Sequence, residues 1–276
     1  MTATTGPAAF RDFELGAWGD AAVAQTYDYW WGSLTQQAVP HLLQATAIGR
    51  GDRVLDVATG PGFVAAAAAA RGATVTGIDF SPVMVALAGR RYPAVPFCEG
   101  DAEALNFPDG TFDAVVIAFG LLHLARPDVA LAEAFRVLRP GGRLAFTVWA
   151  APPATEGFAA ILDAIMTHGQ ADVPLPPGPP FFRFADATEC ARTLSGIGFV
   201  AAASQTVAMT WRSASLDMLC TAFEQGTART RGLLRAQTPA ALQRIREAVR
   251  IFVQGRMQNG VCELAMPCVL TTAGKP

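Results

Sequence analysis

The clearest structural signal in this sequence is Val54-Leu55-Asp56-Val57-Ala58-Thr59-Gly60-Pro61-Gly62, a buried strand that runs into a glycine-rich turn. Glycines in the turn let the backbone bend tightly and approach a ligand without a Cβ in the way. An alanine-rich segment, residues 62–71, follows with the composition of a helix. A strand, a glycine turn and a helix in this order predict the first unit of a doubly wound α/β sheet.

Outward from this unit, short β-branched runs alternate with helical segments between residues 52 and 149, which is typical of a parallel sheet. The predicted strands are 53–57, 74–79, 95–99, 112–118 and 143–149, and the predicted helices are 62–71, 82–91 and 127–138. Two further strands, near 199–211 and 262–271, would close the sheet as an antiparallel pair. We therefore predict an α/β fold with a Rossmann-like, doubly wound, seven-stranded mixed sheet.

The sequence predicts that the chain is organised in three parts. Residues 1–48 would form an N-terminal helical cap, residues 49–150 the ligand-binding core, and residues 151–276 a lid loop, a helical cap insertion at about 212–258 and the last two strands. A helix is predicted over 185–195, and another begins at Thr238 and Pro239. The segment 151–184 is predicted as a stiff loop, because regular structure is opposed by Pro174, Pro176, Pro177, Pro179 and Pro180.

Composition argues against several kinds of partner. Apolar residues make up 51% and charged residues 16% of the 276 residues, so a packed core is expected. A net charge of −2 at pH 7 provides no attraction for nucleic acid or an anionic membrane. The five cysteines include no C-x-x-C pair, so neither disulfides nor a metal site are expected. Charges in the first 25 residues and the lack of a long apolar segment predict a soluble, cytoplasmic protein.

An acidic residue ends the second predicted strand, nineteen residues after Gly60. The carboxylate of this residue, Asp79, can accept hydrogen bonds from both hydroxyls of a ribose, which favours a cofactor that contains adenosine. The pattern Gly60-x-Gly62-x-x-Ala65 also fits the loose dinucleotide fingerprint. These residues alone therefore leave the identity of the nucleoside cofactor open.

Three further motifs accompany the glycine turn: Gly100-Asp101-Ala102-Glu103, Phe112-Asp113-Ala114-Val115-Val116 and Val137-Leu138-Arg139-Pro140-Gly141-Gly142. In this order they resemble the class I S-adenosylmethionine-dependent methyltransferases, particularly the group similar to the ubiquinone and menaquinone biosynthesis C-methyltransferases. The resemblance covers residues 50–150. Ala58 departs from it, since the family usually has glycine there, and we expect this alanine to adopt a negative φ.

The resemblance implies S-adenosylmethionine as the cofactor, with the methionine half lined by Ala58, Gly60 and Gly62. The adenosine half would contact residues after the next strands: Asp79 on the ribose, Phe80 and Met84 beside adenine, Asp101 and the Ala102 N–H on adenine, and the Ala118 carbonyl near the ammonium. For Met84 the alternative is a core position in its helix. For Asp101 the alternative is a residue that only forms a turn.

Methyl transfer requires chiefly alignment of the acceptor, because the sulfonium already makes the methyl group electrophilic. Aromatic faces suit a cation, so Trp18, Tyr27 and Trp30 are candidates to cover the sulfonium, with helix packing as the alternative. His123 follows the fourth strand and could act as a general base or be a structural residue. The predicted apolar acceptor pocket consists of Phe119, Trp149, Phe181, Phe182 and Trp211.

The predicted function is methyl transfer to the oxygen or carbon of a small organic acceptor. No Asn/Asp-Pro-Pro-aromatic motif follows the fourth strand, which disfavours methylation of nucleic-acid bases or of protein glutamine. Two alternatives remain: an NAD-dependent oxidoreductase that uses the same turn, and a nucleoside-binding sensor without catalysis. The segment 229–256 is rich in arginine, which indicates solvated helix faces or an anion pocket. The oligomeric state is left open.

Overall fold

The computed structural model describes residues 6–276, which divide into two compact units. The sheet unit comprises Thr35–Trp149, Gly178–Val207 and Cys268–Pro276. The helical unit comprises, of the described residues, 6–34, Ala150–Pro177 and Ala208–Pro267. Each unit is therefore assembled from three separate stretches of sequence.

The strands, in chain order, are β1 (Arg53–Val57), β2 (Thr74–Asp79), β3 (Phe97–Glu99), β4 (Phe112–Ala118), β5 (Leu138–Trp149), β6 (Val200–Val207), β7 (Thr210–Ser213), β8 (Met257–Gln258), β9 (Val261–Ala265) and β10 (Cys268–Gly274). The α-helices are α1 (Pro7–Trp18), α2 (Ala21–Thr35), α3 (Val39–Ala45), α4 (Phe63–Ala70), α5 (Pro82–Arg91), α6 (Pro127–Val137), α7 (Glu156–His168), α8 (Ala187–Ile197), α9 (Met218–Gln225), α10 (Arg229–Arg235) and α11 (Pro239–Gln254).

The sheet unit contains seven strands in the order β3-β2-β1-β4-β5-β10-β6. The first five of these are mutually parallel, and β10 runs antiparallel to both β5 and β6. The predicted Rossmann-like seven-stranded mixed sheet is confirmed. Strands β1 and β4 lie centrally and are buried on both faces. Because they are parallel neighbours, their carboxyl ends lie side by side in the middle of the sheet.

The two last predicted strands are each divided in the structure. The predicted strand 199–211 is β6 followed by β7, and the predicted strand 262–271 is split between β9 and β10. Strands β7, β9 and β8 form a separate three-stranded antiparallel sheet in the helical unit. In each of the two predicted strands, the chain therefore leaves one sheet and joins the other.

The expectation that residues 151–184 lack regular structure is wrong for their first half, which forms α7. The five prolines between 174 and 180 lie beyond the end of this helix, so they do not interrupt its hydrogen bonds. Phe158, Ile161 and Ile165 are buried along α7 at helical spacing. Only the part after His168 remains without a helix or strand until Arg183.

Side-chain caps begin α5, α8 and α11, and the cap of α11 is at Thr238, as the sequence predicts. Ser81 accepts from the Met84 N–H at the start of α5, and Thr238 accepts from the Ala241 N–H at the start of α11. Asp186 caps α8 by accepting from Thr188 at 2.7 Å. Each cap satisfies a backbone donor that the helix itself leaves without a partner.

Lys275, the only lysine of the sequence, closes the carboxyl end of α6. Its Nζ donates to the carbonyl of Phe135 at 2.8 Å and to that of Leu138 at 2.7 Å. A cation is favoured there because the last carbonyls of a helix carry partial negative charge. The Lys275 backbone also pairs with Gly141 and Gly142, which holds the chain beside β5.

An aromatic cluster fills the core of the helical unit. The ring of Trp31 lies 4.5 Å from that of Trp211 and 5.0 Å from that of Phe223, measured between centroids, and Phe158 completes the group. Both indole N–H groups donate to backbone carbonyls, Trp31 to Ala222 and Trp211 to Trp30.

Within residues 6–276, no helix is long and apolar enough to cross a bilayer.

Candidate functional site

Two buried carboxylates hold the glycine turn at the carboxyl ends of β1 and β2. Asp56 Oδ2 accepts from Thr59 Oγ1 at 2.6 Å and from the Ala65 N–H at 3.0 Å. Asp79 Oδ2 accepts from the Gly60 N–H at 2.9 Å, while its Oδ1 accepts from the Ser81 N–H at 2.9 Å. The turn is thus fixed by side chains on both sides of it before any ligand binds.

Burial changes the acidity of both carboxylates. The pKa of Asp56 is raised to about 7, chiefly by burial and to a smaller degree by the charge of Asp79, against the opposing effect of its hydrogen bonds. Burial also raises the pKa of Asp79 to about 6, while its hydrogen bonds and the charge of His123 act in the lowering direction. Asp56 Oδ1 is buried and has no hydrogen-bond partner among residues 6–276. A donor supplied by a ligand would stabilise the ionised form of Asp79.

The expected negative φ of Ala58 is wrong, because this alanine adopts the left-handed conformation with φ 54°. Its Cβ is accommodated by the lack of a side chain at Gly120, where a Cβ would lie only 2.6 Å from that of Ala58. Phe119, directly before Gly120, is also left-handed, with φ 55°. Both central strands therefore end in a sharp bend at a residue other than glycine, which is a costly conformation that clusters at functional sites.

A second close approach supports the turn from the side of β2. A Cβ at Gly77 would lie 2.5 Å from the ring of Phe97 and 2.9 Å from Thr59 Oγ1. The Phe97 ring therefore packs directly over the backbone of β2. Nothing in the sequence marks Gly77 or Phe97 as parts of the site, since their contact joins residues on different strands.

The structure brings the predicted adenosine contacts to the carboxyl ends of β2 and β3. Phe80 is half-buried and directly follows Asp79, whereas Met84 is buried in the first turns of α5. Asp101 Oδ1 accepts from the Glu103 N–H at 2.9 Å, so this residue does form a turn. Ala102 is buried beside it. Whether these residues contact a cofactor remains a prediction.

The predicted acceptor residues of the sheet unit lie at the ends of β4 and β5. The rings of Phe119 and Trp149 stack with centroids 4.4 Å apart and planes inclined by 30°. Ala118 ends β4 directly before Phe119 and is half-buried. His123 ends a short 3₁₀ turn, Leu121–His123, and is also half-buried. Phe181 and Phe182 contact each other in a loop of the same unit.

The other predicted aromatic residues belong to the helical unit. Trp18 packs edge-on against Tyr27, with ring centroids 5.2 Å apart, and its indole donates to Glu14 at 3.1 Å. Trp30 is half-buried, and Trp211 is a buried member of the aromatic core. These contacts provide structural roles for Trp18 and Trp211. Their proposed roles towards the cofactor and acceptor remain predictions.

The arginine-rich segment is neutralised by the chain itself at four positions. Arg229 faces Glu14 and Arg231 faces Asp20, and two further arginines pair with Glu224 and Glu156. These pairs favour structural roles for the four guanidinium groups over an anion pocket.

In the described part of the chain, no group of three or more His, Cys, Asp or Glu residues could hold a metal ion.

Comparison with known proteins identifies the segment that contains the glycine turn. Residues 55–146 match the family model described as "Methyltransferase domain". The demethylmenaquinone methyltransferase of Thermus thermophilus is 50% identical over 107 residues, which cover 37% of this chain and 49% of that protein. The same enzyme from Beutenbergia cavernae is 46% identical over 111 residues, or 40% and 46% of the two chains. This chain spans about half the length of these relatives, and the resemblance drawn from the sequence motifs is confirmed.

Solved structures share the fold at low identity. Phosphoethanolamine N-methyltransferase 2 of Haemonchus contortus, in complex with S-adenosylhomocysteine, matches with a TM-score of 0.58 at 19% identity, covering 97% of this chain and 60% of that one. The [4+2]-cyclase SpnF matches with a TM-score of 0.54 at 23% identity, covering 87% and 80%. These two proteins differ in their named activities, so the shared fold alone does not assign one.

Proposed function

We propose that this chain, whose residues 55–146 form a methyltransferase domain, binds S-adenosylmethionine and transfers its methyl group to a small organic acceptor. The observation that carries the proposal is the position of Asp79. Each of its carboxylate oxygens accepts one backbone hydrogen bond, from Gly60 or from Ser81. A carboxylate offers about four acceptor positions, so Asp79 keeps acceptor capacity for the hydroxyls of a ribose.

The residues around Asp79 support binding of the rest of the cofactor. The left-handed bends at Ala58 and Phe119 turn the backbone sharply at the ends of two adjacent strands, β1 and β4. Ligands of doubly wound sheets collect at this edge, where the strand order reverses. We propose that Gly60 and Gly62 face the methionine half there and that the Ala118 carbonyl accepts from its ammonium. The bound cofactor supplies the electrophilic methyl group.

The acceptor would be held by the aromatic residues at the ends of β4 and β5. Phe119 and Trp149 stack and are buried from solvent, which suits an apolar or planar acceptor held in line with the methyl group. The matched relatives are named for demethylmenaquinone, so a quinone-type acceptor, methylated on carbon, is the first to test. His123, half-buried just past the end of β4, would accept in its neutral form the proton that such an acceptor releases.

Calorimetric titration of the purified chain with S-adenosylhomocysteine and with NAD tests the cofactor. We expect binding of the former and none of the latter. Asp79→Ala should weaken S-adenosylhomocysteine binding about 10- to 150-fold, as for loss of a hydrogen-bond partner that carries charge. Asp109→Ala, at an exposed carboxylate in the same unit, is the matched control and should bind as the wild type does.

Two results would contradict the proposal. NAD binding without a response to S-adenosylhomocysteine would favour the oxidoreductase alternative. Binding of S-adenosylhomocysteine without transfer of labelled methyl from S-adenosylmethionine to any component of a quinone and small-metabolite extract would favour the sensor.

A further inference from the structure

Strand β6 forms one edge of the seven-stranded sheet and is open on its outer side. It pairs with β10 and faces no other strand among residues 6–276 on the opposite side. Five of its eight residues are exposed: Val200, Ala201, Ala203, Gln205 and Thr206. The outer backbone N–H and C=O groups of such an edge are a template for a further strand.

The two edges of this sheet differ in their protection against pairing. Strand β3, at the other edge, has three residues, follows Pro96 and carries the charged Glu99. Short length, proline and charge are the usual means by which an edge strand avoids other strands. Strand β6 has none of these, since it is eight residues long and neither a charge nor a proline occurs between residues 195 and 211.

The regular part of β6 is long enough to pair. Ala201 is left-handed, with φ 53°, and the pairing register shifts between Thr272 and Gly274, so the first residues of the strand are irregular. From Ala203 to Val207 the register against β10 is continuous. Five residues of regular strand extend over about 16 Å.

We propose that β6 pairs antiparallel with the β6 of a second copy of this chain. Strand β6 is already antiparallel to β10, so an antiparallel partner continues the local pattern. In a two-fold pair of identical strands, identical residues come close together, and charged residues would repel. The uncharged sequence of β6 removes this repulsion. It also gives a charged foreign strand no ion pair to form.

The side chains allow close approach of the second copy. Ser204 bonds to Thr271 Oγ1 at 2.8 Å, and that hydroxyl donates to Cys190 of α8, so Ser204 lies on the face that α8 covers. Ala203 and Gln205 therefore lie on the opposite, exposed face, and both are uncharged. Pairing of two five-residue strands buries less surface than a standard interface of roughly 1,600 Å². The dimer should consequently be weak and depend on concentration.

Sedimentation and light scattering of the full chain, from about 1 to 200 µM, test this pairing. We expect the mass to rise from 29.0 kDa towards twice that value with increasing concentration. The double variants A203K/Q205K and A203E/Q205E should both remain monomeric, because equal charges meet across the two-fold axis in every register that keeps these side chains on one face. An equimolar mixture of the two should dimerise again.

A94K is the matched control, since Ala94 is exposed next to β3 at the opposite edge and its lysine should leave the dimer intact. Thermal unfolding followed by circular dichroism checks that each variant is folded. If a double variant is unfolded, the single variant Q205K is used in its place. A wild-type chain that stays at 29.0 kDa throughout overturns the proposal. So does a lysine variant that still dimerises, or a mixture of the two charge variants that does not.

Discussion

Replacement of Gly120 by alanine should distort the glycine turn, chiefly through a short contact with Ala58. Gly120 has φ −87° and ψ −38°, a conformation that alanine adopts readily, so the substitution should cause no backbone strain. The added Cβ would lie 2.6 Å from the Cβ of Ala58 and 3.0 Å from Cγ2 of Ile117, whereas ordinary contacts begin near 3.4 Å. Overpacking of this kind costs about 1–3 kcal/mol, and we expect G120A to lose about 2 kcal/mol of unfolding free energy.

The second arm of this experiment removes the other partner of the contact. The left-handed conformation of Ala58 costs roughly 1–2 kcal/mol, and Ala58→Gly removes this cost. Glycine also makes the unfolded chain more flexible, which lowers the unfolding free energy by about 0.5–1 kcal/mol. We expect A58G to be about 0.5 kcal/mol more stable than the wild type. In A58G/G120A the short Cβ contact no longer exists, so most of the loss caused by G120A should disappear.

The assay is denaturant unfolding at 25 °C followed by circular dichroism, with the slope against denaturant required to stay constant across the four proteins. The coupling between the two substitutions should be at least about 1 kcal/mol. Gly89→Ala in α5 is the control, because a Cβ there meets nothing within 4 Å and alanine favours the helix. Additive effects, with coupling below about 0.3 kcal/mol, would refute the contact as the cause.

Two further predictions concern charged groups of the sheet unit. The raised pKa of Asp56, about 7 against 3.8, means that the folded chain binds a proton more tightly than the unfolded chain. The contribution of Asp56 to the unfolding free energy should therefore be complete below about pH 4 and be lost as the pH rises to about 7. Because burial raises the pKa of Asp79 to about 6 and acts in the same direction, Asp56→Asn should flatten the pH profile most clearly between pH 6 and 7; an unchanged profile would place the titration elsewhere. Arg183 bonds to both oxygens of Asp128 at 2.6 and 2.7 Å and to Glu189 at 2.7 Å, so Arg183→Met should lower unfolding free energy by about 1.5 kcal/mol at pH 7. Because Arg183 lowers the pKa of Asp128, the difference from wild type should shrink as the pH falls below 4; a constant difference would indicate lost packing instead.

The central strands could be predicted from sequence because their burial is a local property. Strands β1, β2 and β4 have the predicted bounds, since each is an apolar run with helices on both faces of the sheet and turn residues at its ends. The division of residues 199–211 between β6 and β7 could not be predicted. Residues 199–211 contain no glycine, proline or charge that would mark a break. Only the choice of partner, β10 or β9, separates the two strands.

The site itself was predictable in its anchors but not in its backbone. Asp79 and Gly60 meet as their spacing indicates, because the ends of neighbouring parallel strands share an edge. The left-handed conformation of Ala58 depends on Gly120, which is 62 residues away in the sequence. Aromatic residues were harder still. Trp211 suits a pocket or a core equally by its chemistry; its contacts with Trp31 and Phe223 place it in the aromatic core of the helical unit, and its role towards an acceptor stays a prediction.

The cap that Lys275 forms on α6 gives this protein a built-in chemical reporter. An amine-reactive reagent can modify this sequence only at that side chain and at the terminal α-amino group. The reagent needs a free, neutral amine, whereas this Nζ donates to backbone carbonyls around the end of α6. The rate of acylation at Lys275 therefore measures how often the last residues of the chain detach from β5 and α6. Mass spectrometry can follow that local opening on the intact protein without any introduced label site.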